Sequence, residues 1–179
     1  MENVLKVGER SYPTKILITP EELQRRVQEM AAVINQDQGN APLVVLIVLH
    51  GALFFATDLL KGLSMPLQIE TVRIKSYDKT VSKGIHLLTP LPTNLAGQDV
   101  LIIEDIVDTG KTITFLLEEI QKEKPRSVKV CTLLDKPDGG HQCILDYVGF
   151  TIENHFVFGY GLDLFEYHRN VPYVGYLVR

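Results

Sequence analysis

Val100–Thr112, VLIIEDIVDTGKT, is the stretch from which the fold of this chain is read. Val100, Leu101, Ile102 and Ile103 form an unbroken apolar run, the pattern of a strand buried on both faces. Carboxylates close it: Glu104, Asp105 and Asp108. A short turn at Thr109-Gly110 then opens a helix predicted from Lys111 to Lys122. The first turn of a helix leaves backbone N–H groups without intrahelical partners, and these favour a phosphate. Acids touching the same phosphate would repel it, so they fit sugar hydroxyls, a Mg2+ ion or a proton. The stretch therefore predicts one ligand with phosphate at one end and hydroxyls at the other. Complementarity to the helix dipole accounts for Asp108. It does not account for Glu104 and Asp105, which follow an apolar strand where burying charge is costly. A triphosphate loop, GxxxxGK[ST], ends like Gly110-Lys111-Thr112 but needs glycine where this chain has Asp105. A carboxylate there would face phosphate oxygens, which excludes that reading.

The length of 179 residues suits a single domain with an ordinary core. A net charge of −4 advertises no general polyanion-binding surface, although local basic clusters could hold a small anion. Cys131 and Cys143 have no CxxC partner, and no His/Cys cluster has zinc spacing. Cys131, inside the apolar run Val128–Leu134, reads as a small core residue. Glu2, Lys6, Glu9 and Arg10 interrupt any signal-peptide pattern, and no apolar stretch reaches membrane-spanning length. A soluble, cytoplasmic protein is expected.

Outward from the central stretch, Leu43–Leu49 is a second continuous apolar run and predicts a central strand. His50-Gly51-Ala52 is a turn, followed by a helix over Leu53–Gly62 and a strand over Leu67–Ile74. Thr19-Pro20-Glu21-Glu22 carries a cap, a first-turn proline and a glutamate at the capping-box position. Leu23, Val27, Met30, Ala31 and Ile34 follow at helical spacing, and the helix should end before the polar segment Asn35–Asn40. Lys15–Ile18 predicts a short edge strand. Ser76–Asn94 reads as a long loop or loose hairpin, either a lid or a surface insertion. Ser127–Leu134 is another buried strand, Asp135–Gln142 a polar turn, and Phe156–Tyr160 and Tyr173–Val178 short strands. The alternation implies an α/β fold with right-handed crossovers and a mostly parallel sheet flanked by helices. Ligands of such sheets bind beyond the carboxyl ends of the strands. His50-Gly51, Glu104–Thr112 and Asp135-Lys136 all fall there.

At these residues a family enters. IIEDIVDTGKT resembles the phosphoribosyl diphosphate motif of type I phosphoribosyltransferases. FVFGYGLDLFEYHRNVPYVG, from Phe156 to Gly175, resembles the carboxyl-terminal segment of the hypoxanthine-guanine branch. Leu133-Leu134-Asp135-Lys136-Pro137 is similar to its base-recognition loop, and Lys75-Ser76-Tyr77 to the start of its mobile catalytic loop. The likeness runs from about Leu43 to the end and more weakly over the first helix. One motif indicates the superfamily; four in order indicate the purine branch.

The resemblance implies a type I phosphoribosyltransferase fold in one domain. The core spans about residues 40–150, and a small hood is built from the N-terminal segment and about 151–179. It implies purine salvage: Mg2+-dependent transfer of the 5-phosphoribosyl group of 5-phosphoribosyl 1-diphosphate to hypoxanthine or guanine, giving IMP or GMP and diphosphate. The 5-phosphate would lie on Asp108, Thr109, Gly110, Lys111 and Thr112, and Glu104 and Asp105 would take the ribose hydroxyls directly or through the metal. Asp108 would exchange a proton with purine N7, a task that suits a carboxylate once desolvated. Lys136 would donate to the 6-oxo group, Phe156 would stack on the base, and the Val157 backbone would meet its edge. Asp163 would lie by the base and bind Mg2+, and Arg169 would contact diphosphate, as would the loop of His50 and Gly51. Ser76 and Tyr77 would belong to the loop that closes over the reacting groups. Taken alone, Lys136 reads as a turn lysine and Phe156 as a core aromatic.

Some positions depart from the family pattern. Relatives often carry lysine at the position of His50, Asp78 follows Tyr77 where glycine is usual, and Asp138-Gly139-Gly140-His141 replaces a basic stretch. The expected partners are the two substrates and a second copy of the chain, as homodimer or homotetramer, with no nucleic acid and no membrane. One rival is a nucleotide-responsive regulator that binds nucleic acid, which the acidic balance opposes. A pyrimidine transferase of the same fold would lack the Leu-Leu-Asp-Lys and Phe-Val-Phe-Gly-Tyr segments.

Overall fold

The computed structural model describes residues 3–77, 84–92 and 94–178. In chain order its elements are β1 (Asn3–Val7), β2 (Arg10–Ile18), α1 (Pro20–Gln38), β3 (Leu43–Leu49), α2 (Leu53–Lys61), β4 (Leu67–Tyr77) and β5 (Gly84–Leu87). They continue as β6 (Asp99–Val107), α3 (Lys111–Lys122), β7 (Ser127–Asp135), β8 (Tyr147–Thr151), β9 (Val157–Phe158) and β10 (Val174–Leu177). Six strands make the central sheet in the order β5-β4-β3-β6-β7-β8. The strands from β4 to β8 are parallel, and only β5 runs against its neighbour. The expected α/β architecture is what the chain adopts.

Side-chain alternation in β3 and β6 sorts the core into two layers. Leu43, Val45, Ile47, Leu101 and Ile103 pack with α1 and α2 on one face. Val44, Leu46, Val48, Val100 and Ile102 pack with Ile113, Leu116 and Ile120 of α3 on the other. Both strands are hydrophobic on both faces because helices cover both.

Several boundaries differ from the sequence expectation. α1 runs to Gln38 rather than stopping before Asn35, because its polar residues find tertiary partners. Asn35 Nδ2 donates to the Gly62 carbonyl at 2.9 Å, and Gln38 Nε2 donates to Asp99 Oδ2 at 3.0 Å. β2 is longer than Lys15–Ile18 and is no edge strand, since β1 and β10 flank it. β8 carries no strong sequence signal; Arg26 of α1 donates to its Val148 and Gly149 carbonyls, occupying acceptors on the sheet edge. The Ser76–Asn94 segment begins as a hairpin, with Tyr77 opposite Gly84 and Ile74 opposite Leu87. Asp78, Lys79, Ser82 and Lys83 lie outside the described residues.

The two chain ends meet in a second sheet, β1-β2-β10-β9, antiparallel throughout. It meets the carboxyl end of the central sheet, where Gly161 packs on Gly51 after β3 and Lys136 after β7 donates to the His155 carbonyl. Val157 and Tyr160 of this region join the core layer of α1 and α2.

Asp99 locks the opposite end of β6. Its carboxylate accepts from Arg126 Nε at 2.8 Å, Ser127 Oγ at 2.7 Å and Gln38 Nε2 at 3.0 Å. Arg126 holds this carboxyl well below the usual carboxylate range, against the opposing effect of burial, and Ser127 and Gln38 add to it. A depressed folded value stabilises above the unfolded value, near pH 4, and the benefit disappears as pH falls through the folded one. Asp99→Asn should therefore cost about 1–3 kcal/mol near neutrality. In denaturant titrations the deficit should shrink below about pH 4; a pH-independent deficit would assign the loss to packing instead.

Candidate active site

β6 ends at Val107, and the chain bends at Asp108-Thr109 before α3 starts. Gly110 makes the entry: it is the N-cap residue, in the left-handed region at φ +68, where a side chain is disfavoured. No side chain caps this helix, in contrast to Thr19 and Glu22 on α1. Its first-turn N–H groups thus remain available to an anion. Asp108 and Thr109 are exposed, and Gly110 is buried against the loop after β7. Cys143 Sγ donates to the Gly110 carbonyl at 3.3 Å, and a Cβ at Gly139 would come within 2.3 Å of Asp108 Oδ1.

Glu104 is 5% exposed, and Asp105 is partly buried beside it. Strand alternation sends Asp105 to the α1/α2 side, where it packs on the turn after β3. A Cβ at Gly51 would lie 1.6 Å from Asp105 Oδ2, so only glycine permits this approach. Gly161 comes in from the hood side, and its own Cβ would lie 2.0 Å from the Gly51 carbonyl oxygen. Burial first, then the charge of Asp105, pushes the Glu104 carboxyl well up from its ordinary value. Burial also raises Asp105, opposed by hydrogen bonding with Glu104 and the Ile106 N–H and by the charge of Arg169. The Ile106 N–H donates to Asp105 Oδ1 at 2.9 Å. A buried acid pair with so little positive charge around it is a place for hydroxyl donors or a cation.

Asp163 and Arg169 form the opposite wall. Arg169 Nη2 donates to Asp163 Oδ1 at 2.7 Å, and Nη1 donates to the Gly161 carbonyl at 2.8 Å. The Glu166 N–H donates to Asp163 Oδ2 at 2.8 Å. His50 is exposed and Gly51 buried, and the Leu49–His50 peptide is cis.

Lys136 is 6% exposed, and its Nζ donates to the His155 carbonyl at 2.5 Å. This sets the ammonium one residue from Phe156, which is 48% exposed, and two from Val157, which is buried. The family resemblance implied that Lys136 and Phe156 share one ligand; the fold ties Lys136 to the residue that precedes Phe156. Ser76 and Tyr77 are the last two residues of β4, and residues 78–83 after them lie outside the described residues. Arg73 is exposed on β4.

Sequence reasoning missed one clasp in this region. His141 Nε2 lies 2.7 Å from Asp135 Oδ1, with the imidazole side chain 8% exposed. It closes the turn around Lys136, and its Nδ1 is buried with no partner. A histidine in a polar Gly-Gly turn gives no periodic signal of burial.

Among the described residues no group of three His, Cys, Asp or Glu side chains is set to hold a metal alone. Mg2+ does not need one, since it is held by one or two carboxylates with substrate oxygens and water. Glu104 and Asp105 fit that donor set; Asp163 fits it with the lone pairs that Arg169 and Glu166 leave. No helix among them is long and apolar enough to cross a membrane.

Comparison with known proteins agrees with this geometry. A phosphoribosyl transferase domain model matches residues 15–164. The chain is 46% identical to the bifunctional protein TilS/HprT of Listeria innocua, over 91% of this chain and 26% of that protein, so it spans about a quarter of that relative. It is 42% identical to hypoxanthine-guanine phosphoribosyltransferase of Bacillus subtilis, covering 91% of this chain and 92% of that one. A crystal structure of a hypoxanthine-guanine phosphoribosyltransferase from Bacillus anthracis superposes with a TM-score of 0.85 at 37% identity, over 91% of this chain and 97% of that one. By these matches the chain belongs to the phosphoribosyl transferase domain family and, within it, to the hypoxanthine-guanine phosphoribosyltransferases.

Proposed function

We propose that this chain salvages 6-oxopurines, transferring the 5-phosphoribosyl group of 5-phosphoribosyl 1-diphosphate to hypoxanthine or guanine and releasing diphosphate. The observation that carries the reading is that the buried Glu104–Asp105 pair, the uncapped start of α3 and Lys136, bonded to the His155 carbonyl, all follow or close the carboxyl ends of central strands. We read the chain as one domain, with a core over about 40–150 and a hood from both ends. Leu53 and Phe54 of α2 remain 47% and 39% exposed, an apolar face that suits assembly as a homodimer or homotetramer.

In this reading the backbone N–H groups of Thr109, Gly110 and Lys111, with the hydroxyls of Thr109 and Thr112, hold the 5-phosphate. Glu104 and Asp105 accept from the ribose hydroxyls. As the bond at C1 lengthens, positive charge grows on the sugar ring, and the two acids favour that charge more than the neutral ground state. Asp108 exchanges a proton at purine N7. It is exposed in the free protein, so the bound base must supply its desolvation. Phe156 stacks on the base, the Val157 backbone meets its edge, and Lys136 turns from the His155 carbonyl to the 6-oxo oxygen. An ammonium donor there prefers an oxo group to the amino group of adenine. The diphosphate contacts the backbone of His50 and Gly51 and the guanidinium of Arg169, and Asp163 keeps that guanidinium oriented. Mg2+, held by Glu104, Asp105 or Asp163 with substrate oxygens, would offset the charge of the departing diphosphate. Closure of the loop from Ser76 and Tyr77 keeps water from the activated sugar.

The direct test is an assay panel in which the protein, 5-phosphoribosyl 1-diphosphate and Mg2+ meet each purine and pyrimidine base in turn. Nucleotide formed from hypoxanthine or guanine is expected, and none from uracil; turnover of pyrimidines alone would defeat the proposal. Asp108→Asn should lower kcat by about 100-fold or more with an unaltered thermal melt, and parental turnover would remove Asp108 from its role. Lys136→Ala should raise KM for hypoxanthine by about 10- to 100-fold; KM for the diphosphate sugar should not move.

Glu104→Gln separates stability from activity. The folded state holds this carboxyl up, so ionising it costs folding free energy as pH rises above its unfolded value, near 4.3. The neutral variant should melt about 2–4 °C higher at pH 8, with the advantage fading toward pH 4, while turnover falls. A variant that melts lower at pH 8 would contradict the buried-charge argument.

A further inference from the structure

Leu164 and Tyr167 exchange both backbone hydrogen bonds, at 2.8 and 3.1 Å. The two residues between them, Phe165 and Glu166, have φ of +53 and +72. This is the pattern of a primed two-residue hairpin turn, whose central positions favour Asn-Gly because both are left-handed. A phenylalanine there is an outlier. Burial does not explain it, since Phe165 is 47% exposed.

What the turn does achieve is a contact. The Phe165 ring centroid lies 5.9 Å from that of Phe156, with 23° between the planes, an offset stack. On its other neighbour, Tyr12 of β2, the separation is 5.1 Å at 43°. The three rings form a ladder across the hood, joining β2, the segment before β9 and the 164–167 turn. Phe156 keeps half of its surface exposed with Phe165 against it. The turn is braced from below by Asp163, which accepts from the Glu166 N–H and from Arg169.

We infer that Phe165 is a positioning residue for base binding: it holds the Phe156 ring in a set plane before the purine arrives. The inference rests on the stacking role proposed for Phe156. A free phenyl ring would lose rotamer freedom when the base binds, and a ring already stacked on a second one has lost it beforehand. Strain at one backbone position is thereby exchanged for order at another.

Asparagine tolerates left-handed backbone, so Phe165→Asn removes the ring without removing the turn. Its thermal midpoint should equal or exceed that of the parent. Its KM for hypoxanthine should rise by about 2- to 10-fold, while KM for 5-phosphoribosyl 1-diphosphate stays parental. Phe165→Tyr, which keeps a ring, should retain parental KM for both substrates. Phe156→Leu, measured alongside, separates the two layers of the argument. If Phe156→Leu raises KM for hypoxanthine and Phe165→Asn does not, this inference alone is overturned. If Phe156→Leu has no effect, the stacking role and the inference fall together. A lower melting point with both KM values raised would make Phe165 merely structural and would also overturn it.

Discussion

Two adjacent carboxylates at the end of a buried strand set the terms for the rest of this molecule. Glu104 and Asp105 stand where β6 leaves the core, and burial disfavours the charge of both. A side chain on Gly51 would collide with Asp105, and one on Gly161 with Gly51. The close approach of the Gly51 and Gly161 backbones to each other and to the Asp105 carboxylate is thus a condition for having that acid there. Under the proposed function, ribose hydroxyls and a bound cation would relieve these unfavourable electrostatics.

The central sheet and the hood solve different problems. The parallel sheet brings separate loop ends to one edge, as its topology requires. The hood closes the remaining side with both chain ends, β2 pairing with β10 across almost the whole sequence. Lys136 connects the two: its backbone N–H donates to the Val107 carbonyl, and its ammonium to the His155 carbonyl. The proposed phosphate end and the proposed base end are therefore coupled through one residue. His141 reinforces the same junction by binding Asp135 while packing against Gly110.

Backbone strain is concentrated in the hood. Tyr160, Phe165, Glu166 and His168 all have positive φ, at about 1–2 kcal/mol for each left-handed residue without glycine. Elsewhere among the described residues only Lys124 shares this feature outside glycine. Hydrogen bonds hold the strained stretch, with Arg169 reaching Gly161 and Asp163 and His168 Nε2 lying 2.8 Å from the Lys6 carbonyl. These tethers over-determine the backbone, so the strain persists.

Periodicity and local chemistry were enough to identify the central strands, α2, α3 and the capped start of α1 from sequence. Those signals are local: apolar runs, a capping box, and acids before a Thr-Gly turn. The pattern in Val100–Thr112 likewise foretold a helix start beside acids at the end of a buried strand, because strand, turn and helix there are consecutive. The extension of α1 through Asn35–Gln38, the membership of β2 in a four-stranded hood and the existence of β8 depended on partners distant in the chain. The same holds for the contact of Asp105 with Gly51, the burial of Lys136 and His141, and the Tyr12–Phe165–Phe156 ladder. Each joins residues far apart in sequence by packing or a single hydrogen bond, and no local propensity encodes such a pairing; it exists only once the sheet order has set which loops meet.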